Sequence, residues 1–385
     1  MTEFLNITFA ILFIYFAICI LYISVFSFAS FFFHPIEITK KNISNKFAIL
    51  IPSYREDDVI DDSVDSLISQ SYSNINYDIH VISDSMLTET NERLIRKRIN
   101  LHEVKFENSS KAKSLKYVSK ILHNYDYVII LDADNIVPYN YIEDINSFVS
   151  ETGCIALQTH RQSKNINNNI SYMDSVIEEM NNSIYRKGHN AINISSSIIG
   201  SGVALDYKWF IENVQNLEST GEDKEIEELL LKQNHFIYYN EDIIFKDEKV
   251  SNKKSIKYQR RRWIGTQFNL LKLLLLNLLS VIKKGNINYI IKIIETIILP
   301  KSLLIGFLAI TTLIITIISP IFSIVWWGML ILLLASLYVA IPKYLRDKRL
   351  IIALSNLPHY FMMMFVNLFK IKSANKSFIH TQHGN

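Results

Sequence analysis

Asp132 and Asp134 stand one residue apart at the end of the apolar run 127–131. If that run is a strand, both carboxylates turn toward one place beyond its end. There they suit a divalent cation, Mg²⁺ or Mn²⁺, that keeps part of its water and bridges diphosphate oxygens. An Asp-x-Asp pair by itself is equally well a solvated turn. Two further clusters follow it, Thr220-Gly221-Glu222-Asp223 and Gln259-Arg260-Arg261-Arg262-Trp263. They add paired carboxylates and a guanidinium able to grip phosphate, although an arginine-rich, aromatic run also suits a membrane surface. Upstream lie Pro52-Ser53-Tyr54-Arg55-Glu56, Asp84 and Lys111-Ala112, and Gly200-Ser201-Gly202 allows backbone to approach a ligand closely. The histidines show no metal-ligand spacing, and no nucleophile elbow, phosphate-cradling loop or zinc cluster is present.

Positioning these residues takes a layered α/β domain with a largely parallel sheet. Short apolar runs predict strands over 47–51 (ended by Pro52), 79–83, 103–106 and 127–131. Helical spacing predicts helices over 57–70, around 93–99 and over 111–123. In such sheets ligands bind outside the carboxyl ends of the strands, where Asp84, Asp132 and Asp134 fall.

The rest of the chain is apolar in blocks. Residues 4–33 carry no charge, and a run of about 20 apolar residues crosses the hydrocarbon core. Two more spans are expected over 302–319 and 321–341, parted by Pro320. Lys40, Lys41 and Lys46 follow the first, and Lys343, Arg346, Lys348 and Arg349 follow the third, which places both flanks in the cytosol of a multi-pass protein of the cell (inner) membrane. The stretch 351–369, with Pro358 and His359 inside it and Lys370, Lys372 and Lys376 after it, predicts an interfacial or re-entrant helix, and 268–282 predicts a helix along the inner surface. The 385 residues thus divide into an N-terminal span (1–36), a cytosolic domain (46–265), interfacial helices (266–300), two spans (301–342) and an interfacial or re-entrant helix with a cytosolic tail (343–385). With 40 basic against 37 acidic residues, nothing points to a nucleic-acid partner, and the distant Cys19 and Cys154 argue against a disulfide framework.

In this order the motifs resemble those of membrane-bound family 2 glycosyltransferases, the group that includes cellulose, chitin and hyaluronan synthases. The resemblance covers residues 47–263 and implies a GT-A type, Rossmann-like, nucleotide-sugar-binding domain with flanking transmembrane and interfacial helices. It implies that Tyr54, Glu56 and Asp84 hold base and ribose, that Lys111 and Arg262 sit by the donor phosphates, and that Asp134 carries the metal, with Asp132 assisting it or binding the donor ribose. It implies Asp223 as the base that deprotonates the acceptor, with Glu222 the competitor for that role. Gly200, Ser201, Gly202, Gln259 and Trp263 are implied on the acceptor side, Trp263 as an apolar platform for a sugar ring. The expected reaction is inverting transfer of a hexose or N-acetylhexosamine from a UDP-sugar to a growing glycan or, alternatively, one transfer to a lipid-linked oligosaccharide. Three spans are few for a polymer channel, so processive export calls for an oligomer or an export partner. An inactive membrane scaffold is the reading from another class; retention of Asp132, Asp134, Asp223, Arg262 and Trp263 speaks against it. The chain departs from the family pattern at Arg55 (usually asparagine), Ser83 (aspartate), Lys113 (glycine) and Gly221, positions that bear on base and donor preference.

Overall fold

A computed structural model describes residues 2–38, 43–218, 221–249 and 253–370, so Lys40, Lys41, Thr220, Lys372 and Lys376 lie outside the described residues. The described residues form two compact units: a sheet unit drawn from 34–175 and 195–256, and a helical unit drawn from 2–33, 176–194 and 257–370.

Among the described residues the sheet unit is built on seven strands, β1 Phe47–Tyr54, β2 Tyr77–Asp84, β3 Asn100–Val104, β4 Tyr127–Ile130, β5 Ala156–Ser163, β6 Val203–Asp206 and β7 Ile237–Asp247, in the order β3-β2-β1-β4-β6-β5-β7. Only β6 runs antiparallel to its neighbours β4 and β5, and the remaining pairs are parallel. Six strands therefore end at one edge, and β6 starts from that same edge. Ile49, Ile51, Val81, Ile129 and Leu131 pack against Val64, Leu67, Ile142, Ile145 and Phe148 of the covering helices, all buried. Burying each such side chain contributes on the order of 1.5–3 kcal/mol, enough to hold the loops of that edge on a rigid base.

The expected strands are present, with three corrections. β1 does not stop at Pro52 but continues to Tyr54. Its ladder to β4 ends at Leu50 and beyond that point it pairs only with β2, so the missing proline N–H breaks no bond on the β4 side. β3 lies at Asn100–Val104 rather than 103–106, because the helix before it, Thr88–Ile95, ends before the basic residues 96–98. The helix expected over 111–123 spans Lys111–Ser119, and the Ser110 hydroxyl caps it by accepting from Lys113 N.

Among the described residues of the helical unit, three helices are long and apolar enough to cross a membrane: residues 7–32, Lys301–Ile318 and Pro320–Val339. Pro320 occupies the first turn of the last, where its missing N–H costs nothing. The helices Lys348–Ser355 and Leu357–Leu368 are bent by 45° at Asn356 and together could make a fourth span or a re-entrant loop. The second of them packs on the first long C-terminal helix, where a Cβ on Gly306 would come within 2.1 Å of the Phe361 ring. Between Asn169–Asn182 and Gly188–Ala191 the chain makes a π-helical turn, Ser183–Lys187. Around it polar side chains pair within the unit: Arg186 donates to Glu178 (3.3 Å) and Asn182 (2.5 Å), and Tyr344 donates to Glu179 (2.9 Å). The single helix expected over 268–282 is divided: its first part belongs to a longer helix, Lys253–Leu276, that already contains residues 259–263, and after a break at Asn277 its last part is a separate short helix, Leu278–Lys283.

Candidate functional site

Asp132 and Asp134 follow β4 in a tight turn closed by Asn135 N donating to Asp132 O (3.1 Å). Asn135 and Ser201, both buried, hold that turn. The Asp132 N–H donates to Asn135 Oδ1 (3.1 Å) and Ser201 Oγ (3.0 Å), the Ser201 hydroxyl donates to Asn135 Oδ1, and Asn135 Nδ2 donates to Asp134 Oδ1 (3.0 Å). Ser201 thus spends its hydroxyl on the turn. Asn135 is adjacent to the aspartate pair, yet a side-chain brace of this kind has no signature in spacing.

Gly200 and Gly202 flank Ser201 with φ of +81° and +62°, a backbone that glycine adopts freely. The lack of side chains also matters. A Cβ on Gly202 would lie 2.1 Å from the Phe245 ring, and one on Gly200 would lie 3.2 Å from Asp223 Cβ. The loop that leads into β6 is thereby pressed against the start of the helix Glu222–Lys232, where Glu222 and Asp223 occupy the first turn. Carboxylates gain from the helix dipole there.

Lys111 closes the group. Its ammonium pairs with Asp132 Oδ1 and donates to Gly200 O (2.8 Å). Burial alone would depress its pKa, but Asp132, Glu222 and Asp223 outweigh burial and hold the ammonium charged. Glu222 is pushed up to about 7, first by burial and then by Asp223 and Asp132, against the pull of Lys111. Asp223 pairs with Lys224 (3.5 Å), which also donates to Ile198 O (2.5 Å) and meets Glu227 (3.2 Å). One cation and three carboxylates thus meet a glycine turn at the carboxyl edge of the sheet, with one acid poised near neutrality.

Asp134 hydrogen-bonds the carboxyl of Asp247 at the end of β7. Burial would raise the Asp247 pKa, yet Lys249 (2.9 Å) and Arg161 (3.6 Å) hold it low. Sequence reasoning missed Asp247, although the rule that singled out Asp132, an acid ending a strand at the ligand edge, applies to it equally. Two apposed carboxyl groups must share a proton or a cation. Among the described residues no group of three or more His, Cys, Asp or Glu is arranged to hold a metal. The residues fit a hard cation that takes one or two carboxylates and completes its shell with water and phosphate oxygens, rather than an all-protein cage.

Tyr54 and Asp84 end neighbouring strands as register partners. Asp84 is buried, and its Oδ1 accepts from Ser85 Oγ (3.0 Å) and, at 3.4 Å, from Phe106 N. The Glu56 carbonyl accepts from Val59 N and Ile60 N and starts the next helix. Ser83, where the family commonly has aspartate, donates to Asn91 Oδ1 (2.7 Å) inside the unit.

Gln259, Arg262 and Trp263 belong to the helical unit, on Lys253–Leu276. The Arg260 guanidinium lies 4.5 Å from the Trp263 ring centroid, so these two share a face of the helix. Next to Trp263, Ile264 is buried with Leu303 and Met364.

The family model described as glycosyl transferase family group 2 matches residues 127–339, more than half of the chain. No curated protein matches the sequence significantly. Among solved structures, the mannosyltransferase PcManGT from Pyrobaculum calidifontis in complex with GDP-Man and Mn²⁺ is 13% identical with a TM-score of 0.54, over 89% of this chain and 99% of that one. TarS from S. aureus is 17% identical with a TM-score of 0.38, over 58% of this chain and 39% of that one. TarS 1–349 in complex with UDP-GlcNAc is 14% identical with a TM-score of 0.38, over 57% and 66%. The chain therefore spans less than two thirds of the TarS chains it matches. The fold is of the GT-A type, a mixed α/β sheet as expected, accompanied by helices apolar enough to span a membrane.

Proposed function

Because the chain belongs to glycosyl transferase family group 2, we propose that it moves a hexose or N-acetylhexosamine from a UDP-sugar to a glycan, with inversion, as in the Gln-x-x-Arg-Trp synthase group. The observation that carries this reading is the meeting of Lys111, Asp132, Glu222 and Asp223 at the Gly200 turn. Transfer needs a stabilised leaving diphosphate, a deprotonated acceptor hydroxyl and reacting atoms held in line.

In this assignment Tyr54, Glu56 and Asp84 hold the nucleoside. Lys111 exchanges its bond to Asp132 for the donor phosphates, and Arg262 adds a second cation to the leaving group. Asp132 and Asp134 hold Mg²⁺ or Mn²⁺, which when bound offsets charge on the diphosphate. Asp223 takes the acceptor proton, Glu222 tunes its surroundings, and Gln259, Trp263 and the 200–202 turn orient the acceptor. The same fold in the P. calidifontis protein was solved with a nucleotide sugar and Mn²⁺, so Mn²⁺ leads the trial. The basic flanks of the spans support a catalytic unit in the cytosol of a membrane-embedded enzyme.

Three helices able to span among the described residues, or four with the bent pair, favour a second reading for the acceptor: one sugar added to a lipid-linked oligosaccharide. The test for both is to incubate purified protein in lipid with radiolabelled nucleotide sugars and Mg²⁺ or Mn²⁺, then size the products. A ladder supports chain extension, a single added sugar supports the second reading, and no transfer from any donor overturns both.

A further inference from the structure

Resting on the donor-site reading above, this inference concerns which base that site takes. At the ends of β1 and β2, Arg55 and Ser85 both hold left-handed backbone, φ +56° and +57°. Asparagine is enriched in that conformation and arginine is not, so Arg55 keeps its place against a backbone preference. Such strain is characteristic of functional positions. The Arg55 N–H donates to Asp84 O (3.3 Å), which locks the turn to β2. Its guanidinium is exposed, with the central carbon 5.2 Å from the Tyr54 ring centroid.

Beside it, Asp84 Oδ2 is buried and has no hydrogen-bond partner among the described residues, while Oδ1 is taken by Ser85 and Phe106. A buried carboxylate oxygen without a donor is costly, and it is satisfied when a ligand N–H arrives. One open acceptor next to a ring and a movable planar donor describes a particular edge. Uracil presents a single imide N–H between two carbonyl oxygens, which meets Asp84 Oδ2 with its N–H and a guanidinium with a carbonyl. Guanine presents two adjacent N–H groups and asks for both carboxylate oxygens. Cytosine and adenine place a bare ring nitrogen where the carboxylate needs a proton.

We propose that Arg55 is a specificity-determining residue that, together with Asp84, selects a uracil nucleotide by donating to a uracil carbonyl across the Tyr54 ring. Arginine in place of the family's asparagine then trades backbone comfort for a planar donor at the base.

The test is calorimetric titration of the full-length protein in detergent with UDP, GDP and CDP, each with Mn²⁺, for the native chain and for Arg55→Asn and Arg55→Lys. The native chain is expected to prefer UDP. Arg55→Asn should weaken UDP binding roughly ten- to hundredfold, the worth of one charge-assisted hydrogen bond. It should leave GDP binding unchanged and the melting temperature equal or higher. Arg55→Lys keeps the charge without the planar fork and should lose most of the discrimination. If UDP and GDP weaken together in Arg55→Asn, the side chain only attracts phosphate and the proposal fails. Unchanged UDP binding, or a native preference for GDP, also overturns it. Failure of every nucleotide to bind would instead sink the donor-site reading beneath it.

Discussion

Glu222 and Asp223 are neighbours in one helical turn, but their surroundings give them different work. Glu222, with its carboxyl raised to about 7 by burial, is half protonated near neutral pH. Activity is therefore expected to rise with pH through about 7, and Glu222→Gln should remove that limb from the pH–rate profile. Asp223→Asn should lower kcat by roughly 10²–10⁴, the usual worth of one proton transfer, with donor affinity kept. Near-normal turnover in Asp223→Asn, with the large loss in Glu222→Gln, would reverse the two roles. The acids and Lys111 were legible as residue types at strand and helix ends. Their mutual pairing was not, and neither was the bracing of the aspartate turn by Asn135 and Ser201, since those bonds join residues 66 and 69 apart in the chain.

The loop entering β6 shows what an element adds. Gly202 has φ +62° and no room for a Cβ beside Phe245, so Gly202→Ala should destabilise the sheet unit by roughly 2–4 kcal/mol through strain and overlap. The Cβ of Gly200→Ala is tight only against Asp223 Cβ, at 3.2 Å, with Asp223 Cγ and Glu222 Oε1 at ordinary contact distance. This variant should melt closer to the native temperature yet turn over slowly, because the aspartate must move. Thermal melts read beside kcat would separate the two effects, and equal melting temperatures would remove the packing argument. β1, β2 and β4 were legible because apolar runs bounded by turn residues need no partner to be recognised. The four residues of β6 were not, because their extended form is set by pairing with β4 and β5 rather than by propensity.

At the scale of the molecule, acid stability follows from a histidine pair remote from the site. His80 lies in one plane with His102, the His80 Nδ1 and His102 Nε2 hydrogen-bonded at 3.0 Å, and it hydrogen-bonds Tyr125, which donates to Asp78, itself paired with Lys46. Burial, and then His102, lower the His80 pKa from 6.5 to about 4. Below pH 6.5 the unfolded chain binds a proton that the fold refuses until pH about 4, so stability falls across that window and levels off beneath it. The loss approaches roughly 3 kcal/mol. Hydrogen exchange of the β2 amides, compared at neutral pH and at about pH 5, should show it, and His80→Gln should flatten it. An exchange protection independent of pH in the native chain would refute the assignment. Membrane topology is the other molecular question. With Cys19 and Cys154 replaced, Lys348→Cys and Lys370→Cys should be labelled from the same side of sealed vesicles if the bent pair is re-entrant, and from opposite sides if it is a fourth span.

The apolar spans, the acids that end strands and the order of the motifs are properties of side-chain chemistry and local spacing, so the chain alone determined them. Lys111 bonds a carbonyl 89 residues away, and Asp134 meets Asp247, because the strand order brings β4, β6 and β7 to one edge. Such non-local neighbours are chosen by the packing of the whole sheet, a free energy no segment carries by itself, and only the tertiary structure could decide them.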